Sequence, residues 1–545
     1  MYESSVRMMK NLKEYSKRYL MYIILFLIII ILFFCVSYEN LNGYTDTIVS
    51  LRNEDTLLIN DYCINEDNLY FSYDDIEKFF DTDVYIDKMT RKIIITSKDV
   101  IKKSELNSKI SYTNFVQDES DDVNYIKYNE KDYLLVENIA DIYGLKVVYN
   151  EDLNKIWFVE NAIQKVNLAH DRALGYIEKE VKNKRLLLTN RDDIYIVKND
   201  MYYDNNSEYV MSLIKKDGKE LILYVNKLDL NVVMEEKQVE ENKQLEFIEL
   251  FVNEENLDFN NETNSIILSG FRLLNKSGDV INTYNKELIN KAEKYNMQCF
   301  VSLTNGYKMS NYDNSISVTV LQSEQIRERI IKQIAEEMTL NTIDGIVLDF
   351  REIHQNCKAD YSQFIKEISA YLHAKDKKVL VYIPNEATYI DLKIVNDYAD
   401  YGILVQYGTK TQTSKTSGTH SSVKLVETNL NELKNRGCNL NKYILEIPLY
   451  SILWTEKNNK VINTEIYYYS ALNSYILNNN LVPQIDESTS QKYVEHIKGS
   501  LKYKMWLEDE FSIKQKRDLA KTYELGGISL YKKGYDSSFL LDKIK

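Results

Sequence analysis

The residues with the clearest chemical potential end one apolar run, at positions 344–353, DGIVLDFREI. Side chains alternate between the two faces of a β-strand. If Asp349 faces the interior of a barrel, then Arg351 faces it too, while Glu352 faces the other side. A carboxylic acid with a raised pKa can donate a proton near neutral pH, whereas arginine is always a cation and cannot. The strand end is therefore expected to present one carboxylate and one cation inward.

Glu352 offers an alternative chemistry at the same strand end. A β-bulge inserts one residue and re-aims the side chains that follow it, and bulges are common beside active sites. A bulge here would turn Glu352 inward, where a raised pKa would let it act as a general acid. Two interpretations stay open: a strand end without a proton donor, and an enzyme whose acid is Glu352.

Eight apolar strands, separated by stretches of helical length, are the elements that would position these residues. They predict an α/β fold, a parallel (β/α)8 TIM barrel over residues 246–545. In this fold the chemistry lies at the C-terminal ends of the strands. The strands are expected at 247–252, 265–270, 298–303, 344–350, 378–384, 401–407, 443–449 and 526–531.

Four segments of this region resemble glycoside hydrolases of family 18, in the form found in spore and wall glucosaminidases. DGIVLDFREI resembles the acidic fourth-strand motif D-G-x-D-x-D-x-E, and YILEIPLYSILWTE resembles the seventh-strand segment. SGFRLLNKSGDVI is similar to the second-strand loop, and KMWLEDEFSIKQKRDLAKTYELGGISLYKKG to the final helix and eighth strand. The segments follow the family's order across nearly all of residues 246–545, which implies the family's barrel.

The resemblance implies cleavage beside an N-acetylhexosamine, with the sugar's own acetamide group attacking the anomeric carbon. In the family a glutamic acid protonates the leaving oxygen, an aspartate orients the acetamide and a tyrosine holds its oxygen. Asp349 and Tyr407 match the aspartate and the tyrosine, but Arg351 stands at the proton donor's position. Val347 and Gly408 replace two further acidic residues. The resemblance implies degenerate catalysis, and the catalytic candidates are Asp349, Glu352 and Tyr407.

The same resemblance gives candidate carbohydrate-binding residues at the strand ends. Aromatic rings suit the apolar faces of sugars, although tyrosines in barrels also serve as packing. Asp349 has a structural interpretation as well, as the ion-pair partner of Arg351. The candidates are Asp349, Arg351, Tyr382, Tyr407, Tyr450, Trp454 and Tyr531.

A membrane anchor is predicted at the start of the chain. Residues 19–36, YLMYIILFLIIIILFFCV, form an uncharged run about long enough to span a bilayer. A basic flank precedes it, so residues 1–18 are expected to be a cytoplasmic tail, 19–37 the single transmembrane helix, and the remainder extracellular. A cleaved signal peptide is the alternative, but the exit FFCVSYEN lacks the small residues of a cleavage site.

An internal duplication is predicted at residues 50–162. Residues 70–96 match residues 133–159 without gaps, and each copy has the pattern strand, helix, strand, turn, strand. The duplication resembles the copper amine oxidase N-terminal-like domain of Gram-positive surface proteins, which implies a stalk or wall-binding module. Copper is not implied, because all five histidines lie after this region.

Residues 168–240 are predicted to form a small β-domain. The ending LILYVNKLDL is similar to the last strands of bacterial SH3-like barrels, and a generic β spacer is the alternative.

Composition excludes several classes of partner. The net charge of -14 argues against nucleic acid, because phosphate binding needs a basic surface. Five cysteines are scattered without a CxxC pair, so neither a metal site nor a cofactor is expected.

Three functions remain open for an anchored cell-envelope protein of this kind. The first is recognition of N-acetylglucosamine-containing wall glycan, with peptidoglycan as the favoured ligand, by a pseudoenzyme. The second is a glycosidase that hydrolyses peptidoglycan or a chitin-like glycan through Glu352. The third is a structural or assembly protein whose groove is plugged, with HSSVKLVETN and KNNKVINTEIYYY as candidate plugs.

Overall fold

The computed structural model describes most of the chain after the predicted anchor. It covers residues 47–536 and residue 540, with gaps at 52–53, 60–61, 66–67, 81–83, 120–121, 151–154, 161–162, 178–184, 198–207, 232–247, 254–263, 309–310, 313 and 386. The predicted tail and transmembrane segment lie outside these residues. In the part that is described, no helix combines the length and the apolar character needed to cross a bilayer.

The chain forms two compact units. Of the described residues, the first unit holds 47–84, 102–112 and 117–231, and the second holds 85–101, 113–116, 248–536 and 540.

The second unit contains a closed barrel of eight parallel strands, which confirms the predicted fold. Each strand pairs with the next in chain order, and Ile248 of the first pairs with Gly527 of the last to close the ring. The strands are β1 (Ile248–Asn253), β2 (Ser265–Leu273), β3 (Gln298–Thr304), β4 (Gly345–Asp349), β5 (Lys378–Pro384), β6 (Tyr401–Val405), β7 (Tyr443–Pro448) and β8 (Gly527–Tyr531).

Alternation along each strand separates two cores. Val347 belongs to the cluster inside the barrel, whereas Ile346 and Leu348 belong to the cluster between the strands and the helices. The burial of both faces explains why the strands appear as continuous apolar runs in the sequence.

Helices surround the barrel, and several begin at a side-chain cap. Asn285, Asp391, Ser422 and Asp509 each accept a hydrogen bond from a backbone N–H of the first helical turn. The helices of this unit are α1 (Lys286–Lys294), α2 (Asn314–Gln322), α3 (Glu324–Leu340), α4 (Lys358–His373), α5 (Leu392–Tyr398), α6 (Val423–Asn435), α7 (Tyr469–Asn478) and α8 (Glu510–Thr522).

Shorter elements complete the barrel's connections. They are the 3₁₀ turns Gln355–Cys357 and Leu440–Lys442 and the strands Val280–Asn282, Gly306–Lys308 and Asn311–Tyr312.

An antiparallel sheet is inserted between β7 and β8 and carries α7. The candidate plug KNNKVINTEIYYY supplies the edge strand of this sheet. The candidate plug HSSVKLVETN, residues 420–429, forms the N-terminal half of α6 and the three residues before it. In sheet order the strands are Lys460–Tyr468, Tyr450–Lys457, Leu501–Trp506, Gln491–Lys498 and Gln484–Asp486.

A hairpin from the duplicated region belongs to the barrel unit, which the sequence did not indicate. Its strands, Tyr85–Ile86 and Ile93–Thr96, are antiparallel. The buried carboxylate of Asp87 accepts a hydrogen bond from the Glu324 backbone N–H at 3.0 Å. Asp87 thereby caps α3, whose own N-cap side chain makes no cap bond.

A buried arginine joins this hairpin to two helices. The Arg327 guanidinium donates two hydrogen bonds of 2.9 Å to the Glu367 carboxylate. It also lies 3.9 Å from Asp87, and all three side chains are fully buried. A charge-assisted bidentate pair is among the strongest hydrogen-bonded arrangements, so the hairpin is an integral part of this unit.

Both copies of the duplication have the predicted element order, although the last two strands of the first copy belong to the barrel unit. The copies start with strands Asn68–Ser72 and Lys131–Leu135, which pair antiparallel, and continue into helices Tyr73–Phe80 and Val136–Ile142. Two four-stranded sheets result, one of Tyr125–Tyr128, Lys131–Leu135, Asn68–Ser72 and Tyr62–Asn65, the other of Leu145–Asn150, Lys155–Glu160, Thr47–Leu51 and Glu54–Ile59.

The remainder of this unit is a seven-stranded antiparallel sheet, with a 3₁₀ turn at Lys227–Asp229. In sheet order its strands are Arg185–Thr189, Arg172–Tyr176, Lys219–Asn226, Tyr209–Lys216, Asp193–Val197, Ile163–Leu168 and Leu230–Asn231. Three more strands, Ile101–Ser104, Ile110–Thr113 and Val116–Glu119, complete the described elements.

Candidate functional site

The carboxyl end of β4 carries an ion pair between Asp349 and Arg351. Arg351 Nε donates a hydrogen bond of 2.6 Å to Asp349 Oδ1, and the two side chains are 33% and 17% exposed. The guanidinium carbon lies 5.8 Å from the centre of the Tyr382 ring, within range of a cation–π interaction. Tyr382 belongs to the interior cluster, so Arg351 faces the barrel mouth, as the alternation predicts.

Backbone bonds to neighbouring elements hold Arg351 in this position. Asn305, which directly follows β3, accepts from the Arg351 backbone N–H at 2.9 Å and donates to its carbonyl oxygen at 2.8 Å. The Tyr389 hydroxyl donates to the Phe350 carbonyl oxygen at 2.8 Å. The location of Arg351 is thus set by the fold around it as well as by its own ion pair.

Glu352 lies apart from the other candidates. The pairing of β3 with β4 has no register shift up to Asp349, so the strand itself contains no bulge that would turn Glu352 inward. Glu352 follows the strand with a φ of 54° and an exposed side chain. The structure therefore does not support the expectation that Glu352 shares the site of Asp349 and Tyr407.

The mouth also contains a buried carboxyl group, that of Glu446, which was not predicted from the sequence. The Tyr407 hydroxyl donates a hydrogen bond of 2.7 Å to Glu446 Oε1, and the Ser529 hydroxyl donates one of 3.3 Å to Glu446 Oε2. The Tyr382 hydroxyl also hydrogen-bonds this carboxyl group. Glu446 is 2% exposed and hydrogen-bonds side chains of β5, of β8 and of the loop after β6.

The sequence did contain a signal for Glu446. It is the one charged residue within YILEIPL, and alternation places it on the same face as Ile444, which belongs to the interior cluster. A charge in a strand that is otherwise apolar on both faces needs a partner, and that requirement points to a site.

Burial sets the protonation of this group. It raises the pKa of Glu446 to about 7, although the hydrogen bond from Tyr407 and the positive charge of Arg351 favour the ionised form. Burial and the nearby Glu446 charge also raise the pKa of Tyr407 well above its ordinary value. At neutral pH, then, Glu446 exchanges a proton while Tyr407 keeps its own.

Aromatic rings form one wall of the mouth. The Tyr407 ring centre lies 6.2 Å from that of Tyr531 and 6.4 Å from that of Tyr450. Tyr535 extends the wall, 6.4 Å from Tyr531, and stacks on Tyr468 at 3.9 Å. Tyr407, Tyr450, Tyr531 and Tyr535 are each partly exposed, so these rings are available to an apolar sugar face.

One predicted carbohydrate-binding residue, Trp454, does not face the mouth. Trp454 is fully buried, and its indole N–H donates to the Gly418 carbonyl oxygen at 3.0 Å. The expectation that Trp454 stacks on a sugar is therefore corrected, because a ring with no exposed face packs the inserted sheet instead. Gly408, at the position of the family's aspartate, has a φ of 88°, a conformation that favours glycine.

A histidine behind the aromatic wall is kept neutral. His420 is 2% exposed, and its ring stacks on Tyr450 with centres 4.6 Å apart. Burial lowers the pKa of His420 to about 3, and the nearby Lys516 charge acts in the same direction. His420 therefore supports the Tyr450 ring and takes no part in proton exchange near neutral pH.

At the opposite end of the barrel, a cavity of about 500 Å³ lies beside the start of β6. His373 Nε2 is 2.9 Å from Asp400 Oδ2. His373 Nδ1 is 3.1 Å from the carbonyl oxygen of Lys98, which follows the second strand of the hairpin. The lining residues are Lys98, His373, Asn396, Asp397, Tyr398, Ala399, Asp400 and Lys442. Across the residues described here, no cluster of His, Cys, Asp and Glu is arranged to hold a metal ion.

Comparison with known proteins identifies the barrel. The sequence profile described as "Glycosyl hydrolases family 18" matches residues 201–536. The chain is 23% identical over 283 residues to "Uncharacterized glycosylase YvbX" of Bacillus subtilis (strain 168), a match that covers 48% of this chain and 78% of that protein.

Similar solved structures include the chitinase from Chromobacterium violaceum ATCC 12472, which is 18% identical, with a TM-score of 0.49 over 55% of this chain and 98% of the other. The spore cortex-lytic enzyme SleL of Bacillus cereus is 15% identical, with a TM-score of 0.49 over 55% of this chain and 73% of the other.

Proposed function

The chain belongs to glycosyl hydrolases family 18, and we propose that its barrel recognises N-acetylglucosamine-containing wall glycan without hydrolysing it. The observation that carries this proposal is the ion pair of Arg351 with Asp349 at the end of β4. The position at which the resemblance expects a proton donor holds a permanent cation, which has no proton to give near neutral pH.

The same ion pair changes the role of Asp349. One oxygen of its carboxylate already accepts from Arg351 Nε, so part of its hydrogen-bonding capacity is used within the protein. A carboxylate has further acceptor sites, and Arg351 has further N–H donors. Together the two side chains offer both donors and acceptors to the hydroxyl and amide groups of a sugar.

The aromatic wall supplies the second requirement of a glycan site. Tyr407, Tyr450, Tyr531 and Tyr535 present partly exposed rings at the ends of β6, β7 and β8, in the same mouth as the ion pair. Sugar rings have apolar faces that pack on such surfaces, while their hydroxyl groups need polar partners at the edges. A mouth of this composition suits a neutral glycan better than a charged or purely apolar ligand.

The alternative of an active glycosidase depends on Glu352. That residue is exposed, lies after the regular part of β4, and takes no part in the hydrogen bond of Arg351 with Asp349 or in that of Tyr407 with Glu446. We therefore favour binding over hydrolysis. The third alternative, an assembly protein with a plugged groove, makes the opposite prediction for glycan binding.

We further propose that the chain is held in the cell membrane by residues 19–37, with its N-terminus cytoplasmic and its folded units outside. The uncharged run and its basic flank support this topology. A spacer role is proposed for the part of the copper amine oxidase N-terminal-like duplication that lies in the first unit. Protease treatment of intact cells tests the topology, because only external units would be cleaved.

The full-length protein should be tested for binding to peptidoglycan and to the tetramer of N-acetylglucosamine, with reducing-end release followed in parallel. We expect binding without release, weakened about tenfold in Tyr531→Ala through loss of a ring contact and unchanged in Tyr295→Ala, an exposed tyrosine outside the mouth. Release that disappears in Glu352→Gln would establish the glycosidase. Absence of binding to either glycan would favour the assembly function.

A further inference from the structure

The pair of Tyr407 and Glu446 controls which hydrogen bonds the mouth can offer to a ligand. Tyr407 has one hydroxyl hydrogen, and its oxygen is 2.7 Å from Glu446 Oε1. An ionised carboxylate only accepts hydrogen bonds, whereas a protonated one also donates. When Glu446 is ionised, the Tyr407 hydrogen is used by Glu446, and only the lone pairs of the tyrosine oxygen remain for a ligand.

Protonation of Glu446 reverses this bond. The carboxylic acid donates its hydrogen to the Tyr407 oxygen, and the Tyr407 hydrogen is released to point at the ligand. The Tyr407 side chain is partly exposed and Glu446 is not, so the tyrosine is the member of the pair that meets the ligand. Glu446 acts through it, as a positioning residue.

From this geometry we infer that binding of a neutral amide carbonyl, such as the acetamide of an N-acetylated sugar, takes up one proton on Glu446. A carbonyl oxygen is an acceptor, and Tyr407 can donate to it only when Glu446 is protonated. The inference rests on the proposed function, because it adds a proton requirement on Glu446 to the glycan recognition proposed there.

The surroundings of Glu446 are compatible with such exchange. On β4 it faces the opposite charges of Asp349 and Arg351, which largely offset one another. On β5 it faces the Tyr382 hydroxyl, on β8 the Ser529 hydroxyl, and after β7 the ring of Tyr450. The apolar interior residues of β1 to β3 are Ile248, Leu250, Val252, Ile267 and Phe300. The charged residue in the upper row of these strands is Arg272 of β2, which is in register with Thr304 of β3 and, through it, with Asp349.

The sign of the linkage follows from the pair. The pKa of Glu446 is about 7 in the free protein, and a ligand that requires the protonated form raises it. Affinity is then greatest below pH 7 and falls by about tenfold for each pH unit above it, because one proton is taken up for each ligand bound.

Titration calorimetry of the full-length protein with the tetramer of N-acetylglucosamine tests the inference. Buffers of different ionisation enthalpy count the protons taken up between pH 5.5 and 8.5. We expect uptake approaching one proton at the upper end in wild type and none in Glu446→Gln, whose affinity is independent of pH. Tyr407→Phe, which keeps the ring, is expected to bind weakly at every pH and to take up no proton.

The control is His373→Gln, which removes a titrating group at the opposite end of the barrel and should leave proton uptake unchanged. Binding without uptake in wild type, or uptake that persists in Glu446→Gln, would overturn the inference and leave the proposed function standing.

A second measurement works without ligand. Infrared difference spectra between pH 5.5 and 8.5 should show one protonated carboxyl band that is absent in Glu446→Gln and shifted in Tyr407→Phe. If the tetramer binds at no pH, the proposed function has failed. In that case a missing or unshifted band would also overturn the protonation of Glu446 and the reversal of its hydrogen bond with Tyr407.

Discussion

Arg351 Nε and Asp349 Oδ1 lie 2.6 Å apart at the end of β4. The acidic side chain that β4 presents to the mouth is therefore paired with a cation from the same strand end. Val347, the preceding inward residue, is fully buried in the interior core. The end of β4 therefore presents a buried apolar residue and an ion pair to the mouth. The side chain that gains and loses a proton near neutral pH is Glu446 of β7.

Replacement of Arg351 should change the pKa of Glu446. The arginine charge favours the ionised form of Glu446, so Arg351→Gln is expected to raise the pKa of Glu446 above 7. Infrared titration of the carboxyl band measures this shift. An unchanged midpoint would mean that the two groups do not interact across the mouth. The variant should lose at most about 1 kcal/mol of stability, because the pair is partly exposed.

The buried Arg327 network should be essential for the stability of the barrel unit. Arg327→Met leaves Glu367 and Asp87 buried without their partner, and we expect a loss of about 3–5 kcal/mol in the free energy of unfolding. Urea denaturation of the full-length protein measures it. Arg329→Ala is the matched control on the same helix, because its pair with Asp279 is exposed and should be worth about 1 kcal/mol or less.

The barrel should not fold well without the hairpin of residues 85–96. A fragment that starts at residue 246 would lack Tyr85 and Lys88, which pair with the fully buried carboxylate of Asp360 at 2.9 and 3.2 Å. Loss of these partners and of the apolar contacts of the hairpin, such as those of Ile94 in the outer core of the barrel, is destabilising. We therefore expect this fragment to be poorly soluble and a fragment from residue 47, which keeps the described parts of both units, to be soluble. Equal thermal stability of the two fragments would contradict this expectation.

His373 should make stability depend on pH. Its hydrogen bond to Asp400 raises the pKa of His373, with the Lys98 carbonyl oxygen as a further acceptor. Because the folded pKa lies above the unfolded value, this contribution is complete below about pH 6.5 and is lost as pH rises through the folded pKa. The difference in urea midpoint between wild type and His373→Gln should therefore be largest at pH 5.5 and shrink by pH 8.5. A constant difference would show that the imidazolium is not involved.

Local patterns in the sequence were sufficient for the barrel and for the direction of the β4 side chains. Period-2 alternation is a property of the strand itself, so Val347, Asp349 and Arg351 could be assigned to the interior before any contact was known. The continuous apolar runs similarly identified all eight strands, because strands covered on both faces have no polar side. The element order of the duplication was equally local.

Contacts between distant segments decided the rest. Glu446 and Tyr407 are 39 residues apart in the chain, and only the adjacency of β6 and β7 makes them a hydrogen-bonded pair. Trp454 has the residue type of a sugar platform, but the inserted sheet buries it. Asp87 matches Asn150 of the second copy in sequence, yet it caps a helix 237 residues away. The sequence determined which side chains each strand presents, whereas partners and burial depend on the neighbours that the tertiary fold supplies.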